Sequence, residues 1–320
     1  MGIRGGIDLG GTKIQAVVVA DGGDVLGSSR MPTPTTGGPP DVAATMADAI
    51  RDAAEQAGAD TGALEGVGVG SPGAVSDDEG TVAAARNLPD WEEAYPLRDE
   101  LSSRLDTRVR LGNDVQVATD AEFELGAAQP YNSILGVFWG TGVGGGIVLD
   151  GRPWLGRSAA GEIGHVVVKM GGRRCPCGRE GCMEAYAGRL ALERRARELE
   201  EKGDSTKLFE IMEERGRDRL TSGVWARALK AEDKVARKLI HEAVKALGAG
   251  VASCVNVLDV EAVVIGGGMG VRLGEPYVKK IREAMMPHLF VDSRPPAVLG
   301  ATLGDLGGAI GASLLVARPG

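Results

Sequence analysis

The chain has no block of basic residues: its 36 lysines and arginines are interspersed among 44 aspartates and glutamates, for a formal net charge of −8. That balance disfavours a nucleic-acid partner, which would call for a clustered cationic face. No stretch reaches the roughly 20 apolar residues of a membrane-spanning helix, and a β-like run begins almost at once after Met1. The expectation is a soluble, cytoplasmic protein with no membrane partner. Cysteines number only four, three of them within eight positions. They are too local for the scattered disulfide framework of a small secreted domain.

Glycine, by contrast, is abundant. The 50 glycines of this 320-residue chain fall in short bursts after apolar runs, with no collagen period and no low-complexity tract. Such bursts suggest turns made for ligands. A hydrophobic content of 43% over this length is enough to bury two cores, so two α/β lobes are expected.

Along the chain, Ile7 and Leu9 before a glycine turn, and Ile14 and Ala16 to Val19 after it, read as a hairpin. A Pro/Thr/Gly connector over 32–40 leads to a helix that Asp41 can cap, with an apolar stripe at Val42, Met46, Ile50 and Ala53 or Ala54. Strands are expected at 67–69 and 109–111, and helices at 96–105 and 114–128. A second glycine-turned hairpin over 133–148 repeats the opening device, which reads as a weak internal duplication. Helices over 184–203, 207–216 and 224–256, a strand over 260–265, and helices over 276–286 and 304–316 complete the pattern.

Three glycine clusters carry the first chemistry. They are Asp8-Leu9-Gly10-Gly11-Thr12-Lys13, the run from Trp139 to Gly146 with Thr141 and Gly142 at its tip, and Gly266-Gly267-Gly268-Met269-Gly270. A turn without Cβ atoms lets several backbone N–H groups approach one phosphate. The first lacks P-loop spacing and leads into a strand, so Walker and Rossmann readings are poor. The third follows an apolar strand and precedes a helix, which suits a nucleotide's ribose or phosphates at a helix N-terminus. Ordinary tight turns have the same composition, and glycine alone leaves both readings open.

Cys175, Cys177 and Cys182 form CxCxxxxC, with His165 ten positions upstream. A disulfide between Cys175 and Cys177 would close too tight a ring. Three thiolates and one imidazole instead complete a closed tetrahedral zinc site with no open position for a catalytic water, so the metal is expected to be structural. Cys254 reads as a core residue. Glu162 and His165 share one segment and Glu184 follows Cys182 by two. A metal clip would hold these acceptors toward a ring of sugar hydroxyls; the plain alternative is solvated surface charge. Asn113 and Asp114 end a strand, where ligands gather in α/β folds, although a helix N-cap is the commoner role of such an aspartate.

Taken together, DLGGTK at 8–13, GND at 112–114, WGTGVGGG at 139–146, ExGH at 162–165, CPCGREGCME at 175–184 and VIGGGMG at 264–270 resemble the ROK (repressor, open reading frame, kinase) family of the actin/hexokinase/Hsp70 ATPase superfamily. The resemblance implies an α/β, two-lobed actin-like ATPase (ribonuclease H-like) fold with an interlobe active-site cleft. The small lobe would comprise residues 1–118 plus 305–320, and the large lobe 119–304, with a homodimer or dimer of dimers formed through the latter. It implies ATP-dependent phosphorylation of a free hexose with Asp114 as general base. Gly73, Asn87, Asn113, Asp114, Glu162, His165 and Glu184 would bind the sugar. Gly10, Gly11, Thr12, Lys13, Thr141 and Gly142 would bind phosphates, and Gly266 and Gly267 the adenosine, with Asp8 near Mg²⁺ and structural Zn²⁺ on His165, Cys175, Cys177 and Cys182. The members most similar are bacterial glucokinases, which puts D-glucose first. Fructose, mannose, allose, N-acetylmannosamine and N-acetylglucosamine are alternatives, as are polyphosphate as donor and a non-catalytic sugar sensor. The family's repressors carry an N-terminal helix-turn-helix, for which the early start of the first phosphate motif leaves no room.

Overall fold

A computed structural model describes residues 2–85 and 88–317. The chain divides into two compact units, one drawn from Met1–Gln129, Pro153–Ala160 and Thr302–Gly320, the other from Pro130–Arg152 and Gly161–Ala301.

The first unit opens with three strands: β1 (Ile3–Leu9), β2 (Lys13–Ala20) and β3 (Val25–Pro32). They are followed by helix α1 (Gly38–Gln56) and strand β4 (Val67–Ser71). A small hairpin of β5 (Ala74–Ser76) and β6 (Thr81–Ala83), helix α2 (Leu97–Leu105), strand β7 (Val109–Asn113) and helix α3 (Asp114–Glu124) complete the run. The sheet order is β3-β2-β1-β4-β7. β1 is antiparallel to β2 and parallel to β4, which is parallel to β7.

On one face lies α1, whose Val42, Met46, Ile50 and Ala53 are buried against Ile7, Ile14 and Val18. Spacing of three and four residues puts these side chains on one stripe. Asp41 sits in the first turn of α1, but its predicted cap is absent: Gly37, at φ 83, holds the N-cap position with no side-chain bond. On the other face lies the C-terminal helix Gly307–Ala317, packed on β1, β4 and α3. It approaches so closely that a Cβ on Gly6 would collide with the Ala309 carbonyl oxygen, and one on Gly68 with that of Ala312. Glu122, 2% exposed, accepts from Ala127 N, Thr302 N, Thr302 Oγ1 and Leu303 N and so ties α3 to the entry of that helix.

The second unit repeats the scheme with β8 (Ile134–Trp139), β9 (Val143–Leu149), β10 (Arg152–Pro153, at the unit boundary), β11 (Ala262–Gly266) and β12 (Ala297–Gly300), in the order β10-β9-β8-β11-β12. β8 is antiparallel to β9 and parallel to β11, which is parallel to β12. The two sheets thus share strand order, and the glycine-turned hairpin and the two parallel pairs beside it run in the same directions in both.

The helices of this unit are α4 (Glu184–Ala187), α5 (Arg189–Glu201), α6 (Leu208–Glu214), α7 (Ser222–Lys230), α8 (Lys234–Leu258), α9 (Gly267–Leu273) and α10 (Glu275–Met285). The single helix predicted over 224–256 is therefore two. Glu232 turns left-handed at φ 56, and buried Asp233 restarts the chain by accepting from Ala236 N. The same carboxylate accepts from Thr206 Oγ1 and Lys207 N. α8 then buries Leu239, Ala243, Leu247 and Val251 along its length. Among the described residues no helix is long and apolar enough to cross a membrane.

Candidate active site

In the first unit the candidate residues Asp8, Asn113 and Asp114 lie at the carboxyl edge of the parallel strands. Asp8 stands opposite Gly70 in the β1–β4 register, and Ser71 opposite Asn113 in β4–β7. Burial pushes the Asp8 carboxyl up to about 6, against the pull of Lys13 and with help from Asp305. Lys13 Nζ is 3.9 Å from Asp305 Oδ1. Asp8, Lys13 and Asp305 therefore form one charged group around the first glycine turn.

That turn is closed by Gly10 N donating to Lys13 O and is propped by buried Thr33, the residue after β3. The Thr33 hydroxyl donates to Gly10 O at 2.7 Å and its N–H to Thr12 O. Gly11 and Thr12 form its exposed tip. Gly73, at φ 90, follows β4 where a Cβ would strike the Ala83 carbonyl oxygen. Asn87 lies outside the described residues.

At the start of α3 the N-cap is not Asp114 but its neighbour. Asn113 is the N-cap of α3, its Oδ1 accepting from Val115 N at 3.0 Å and Gln116 N at 3.1 Å. Asp114 is the first helical residue, with Oδ1 accepting from Val115 N at 2.9 Å.

In the second unit, the turn Gly140–Gly142 joins β8 to β9. The Val143 N–H beside it donates to Glu184 Oε2 at 2.9 Å, so this carboxylate is joined to the second glycine turn, a link the sequence does not announce. Glu184 Oε1 lies 3.8 Å from Cys175 Sγ. Gly266 is the N-cap of α9, and Gly267, at φ 77, packs where a Cβ would meet the Trp139 backbone. The second and third glycine clusters are thus adjacent.

The His165, Cys175, Cys177 and Cys182 ligand atoms all lie within 4.8 Å of one another. His165 Nδ1 is 3.8 Å from Cys175 Sγ, and Cys177 Sγ is 3.8 Å from Cys182 Sγ. A tetrahedron with metal–sulfur bonds of about 2.3 Å has edges of about 3.8 Å, so the donor set fits zinc in both chemistry and spacing. The other nitrogen of His165, Nε2, faces Glu162 Oε2 at 3.9 Å. One imidazole therefore addresses the cysteines with one edge and a carboxylate with the other. Glu162 itself is exposed.

Sequence reasoning missed Thr33, Asp305 and Arg189. Arg189 opens α5 and hydrogen-bonds Thr141 Oγ1 through Nη2 and Leu220 O through Nη1, each at 3.1 Å. A lone arginine at a helix start and a threonine in a connector carry no local signal; only the repetition of Gly/Thr turns marks where to look for their partners.

A profile described as ROK family matches residues 4–318. A glucokinase from Thermotoga maritima is 33% identical over 285 residues, covering 89% of this chain and 87% of the relative. An N-acetyl-D-glucosamine kinase from Escherichia coli is 30% identical over 97% of this chain and 98% of its own. The crystal structure of a ROK family glucokinase from Streptomyces griseus with glucose and AMPPNP superposes with a TM-score of 0.83 at 32% identity, covering 98% of this chain and 99% of that one.

Proposed function

Given that the chain belongs to the ROK family and is a sugar kinase of actin-like ATPase fold, we propose that it transfers the γ-phosphoryl group of ATP to a free hexose, D-glucose first, yielding glucose 6-phosphate. The observation that carries the reading is the division of labour at the start of α3. Asn113 supplies the N-cap bonds of α3, so Asp114, whose Oδ1 accepts from Val115 N, is not the cap but the first helical residue at the end of β7, where a ligand carboxylate is expected. Glucose stands first because glucokinases at 33% and 32% identity are among the similar proteins; the N-acetyl-D-glucosamine kinase at 30% keeps that sugar as the second reading.

A sugar hydroxyl is too weak an acid to ionise before transfer. Phosphoryl transfer passes through a loose transition state in which the proton leaves late, so Asp114 need only orient the hydroxyl and accept that proton. General-base help of this kind contributes about 10²- to 10⁴-fold, the remainder coming from alignment and electrostatics. Asn113, Glu162, His165, Glu184, Gly73 and Asn87 hold the hexose. Gly10, Gly11, Thr12, Lys13, Thr141 and Gly142 hold phosphates, and Gly266 and Gly267 the adenosine.

Zinc held by His165 and the three cysteines would supply no reaction step; it would lock the His165 ring and the segment leading to Glu184. Mg²⁺ near Asp8 would neutralise phosphate charge, and the half-buried Asp8 carboxyl, pushed up to about 6 by desolvation despite Lys13, fits a dication beside it. A coupled ADP-release assay with ATP across glucose, mannose, fructose, allose and the two N-acetylhexosamines, together with direct detection of the sugar phosphate formed with ATP or polyphosphate as donor, tests the reading. Highest kcat/KM with glucose and ATP is expected, and transfer to none of these sugars would refute it.

A further inference from the structure

The Arg189 guanidinium is half-buried, and among the described residues no carboxylate lies within ion-pairing distance of it. Its hydrogen-bond partners are neutral oxygens, Leu220 O and Thr141 Oγ1. Burial lowers its pKa, with Glu193 opposing that effect from nearby. Glu193, however, is committed to Arg197 through one oxygen and to Leu220 N through the other.

A partly desolvated cation bonded to neutral groups alone is a ready partner for a counter-charge that arrives with a ligand. The surroundings of Arg189 are prepared for one. Its own N–H donates to Gly140 O and that of Leu190 to Thr141 O, so the turn's carbonyls are drawn toward the start of α5. The turn's own N–H groups at Thr141 and Gly142 donate to no acceptor among the described residues. Glu184, the carboxylate at this turn, is occupied by Val143 N.

We propose that Arg189 is a binding residue for the donor nucleotide, its guanidinium supplying the positive charge that pairs with the phosphates held at the Thr141–Gly142 turn. This rests on the reading of that turn as a phosphate site and adds the cation that the turn itself lacks. Arginine suits the task because its planar fork holds Thr141 and Leu220 while remaining charged at any physiological pH.

The test is calorimetry of MgATP and of adenosine with the full chain, in the wild type, Arg189→Gln and Arg189→Lys, alongside hexose KM. In Arg189→Gln the loss of one charge-assisted contact weakens ATP roughly 10- to 100-fold. Adenosine affinity and hexose KM stay within about twofold, because neither ligand presents the charge that Arg189 meets. Arg189→Lys keeps the charge but loses the fork that holds Thr141 and Leu220, and ATP affinity falls by less than about tenfold.

A purely structural Arg189 would instead weaken ATP and adenosine together or neither, and either result overturns the proposal. So does an Arg189→Lys variant that folds and loses ATP tenfold or more, which keeps the test decisive if the glutamine variant does not fold. A wild type that binds adenosine and ATP while Arg189→Gln binds both equally well refutes the arginine's role alone. A wild type that binds neither refutes the phosphate-turn reading and the arginine's role with it.

Discussion

Asp114→Asn tests the proposed proton acceptor apart from helix capping, because the N-cap of α3 is the neighbouring Asn113. The cap bonds of α3 come from Asn113 to Val115 N and Gln116 N, and they survive the substitution. What stability is lost is the favourable placement of a negative charge in the first turn, about 0.3–1 kcal/mol, or a melting shift below about 4 °C for units of this size. The loss of the proton acceptor lowers kcat by about 10²- to 10⁴-fold, or about 2.7–5.4 kcal/mol of barrier.

The reciprocal variant, Asn113→Ala, gives up the cap and costs about 1 kcal/mol of stability. Coupled ADP release at saturating hexose and ATP, thermal melting, and calorimetric hexose binding to Asp114→Asn measure the three quantities. Hexose binding should remain detectable. A folded Asp114→Asn enzyme whose kcat lies within about tenfold of the wild type would refute the general-base assignment, and a melting loss matching that of Asn113→Ala would show that Asp114 serves the helix end.

Two further outcomes follow from the charged groups. Cys177→Ser removes one of the four ligands and should abolish metal retention in elemental analysis, lower the melting temperature, and raise hexose KM about 10- to 100-fold through displaced His165 and Glu184; zinc content equal to the wild type would contradict it. For Asp8, the folded carboxyl titrates at about 6 against an ordinary 3.8, so between those values the folded form binds more protons than the unfolded. Its contribution to stability is accordingly present at low pH and lost as pH rises through about 6. Asp8→Asn should raise the ligand-free melting temperature at pH 7.5 while abolishing Mg²⁺-dependent transfer, and a melting temperature that falls at that pH would show the sign to be wrong.

The elements legible in the sequence are those whose burial is periodic. α1 shows its stripe at Val42, Met46 and Ile50, and the two glycine-turned hairpins announce themselves by apolar arms around a polar tip. β3 was not legible. It is an edge strand with little beyond Gly27 buried, so it lacks the alternation that marks a half-buried strand. The break between α7 and α8 was equally hidden, since it depends on Asp233 finding Thr206 and Lys207 across the fold.

For the site, local spacing alone picked out the His165, Cys175, Cys177 and Cys182 cluster that the fold brings together, because CxCxxxxC keeps its three thiols within short reach of one another. The order of the glycine turns likewise carried the family. Tertiary structure decided the partnerships. It placed Asn113 on the helix cap beside Asp114, joined Glu184 to the second glycine turn, propped the first turn with Thr33, and brought Arg189 to Thr141. Hydrogen bonds between residues tens of positions apart are set by how strands and helices pack, and no local pattern in the chain records them.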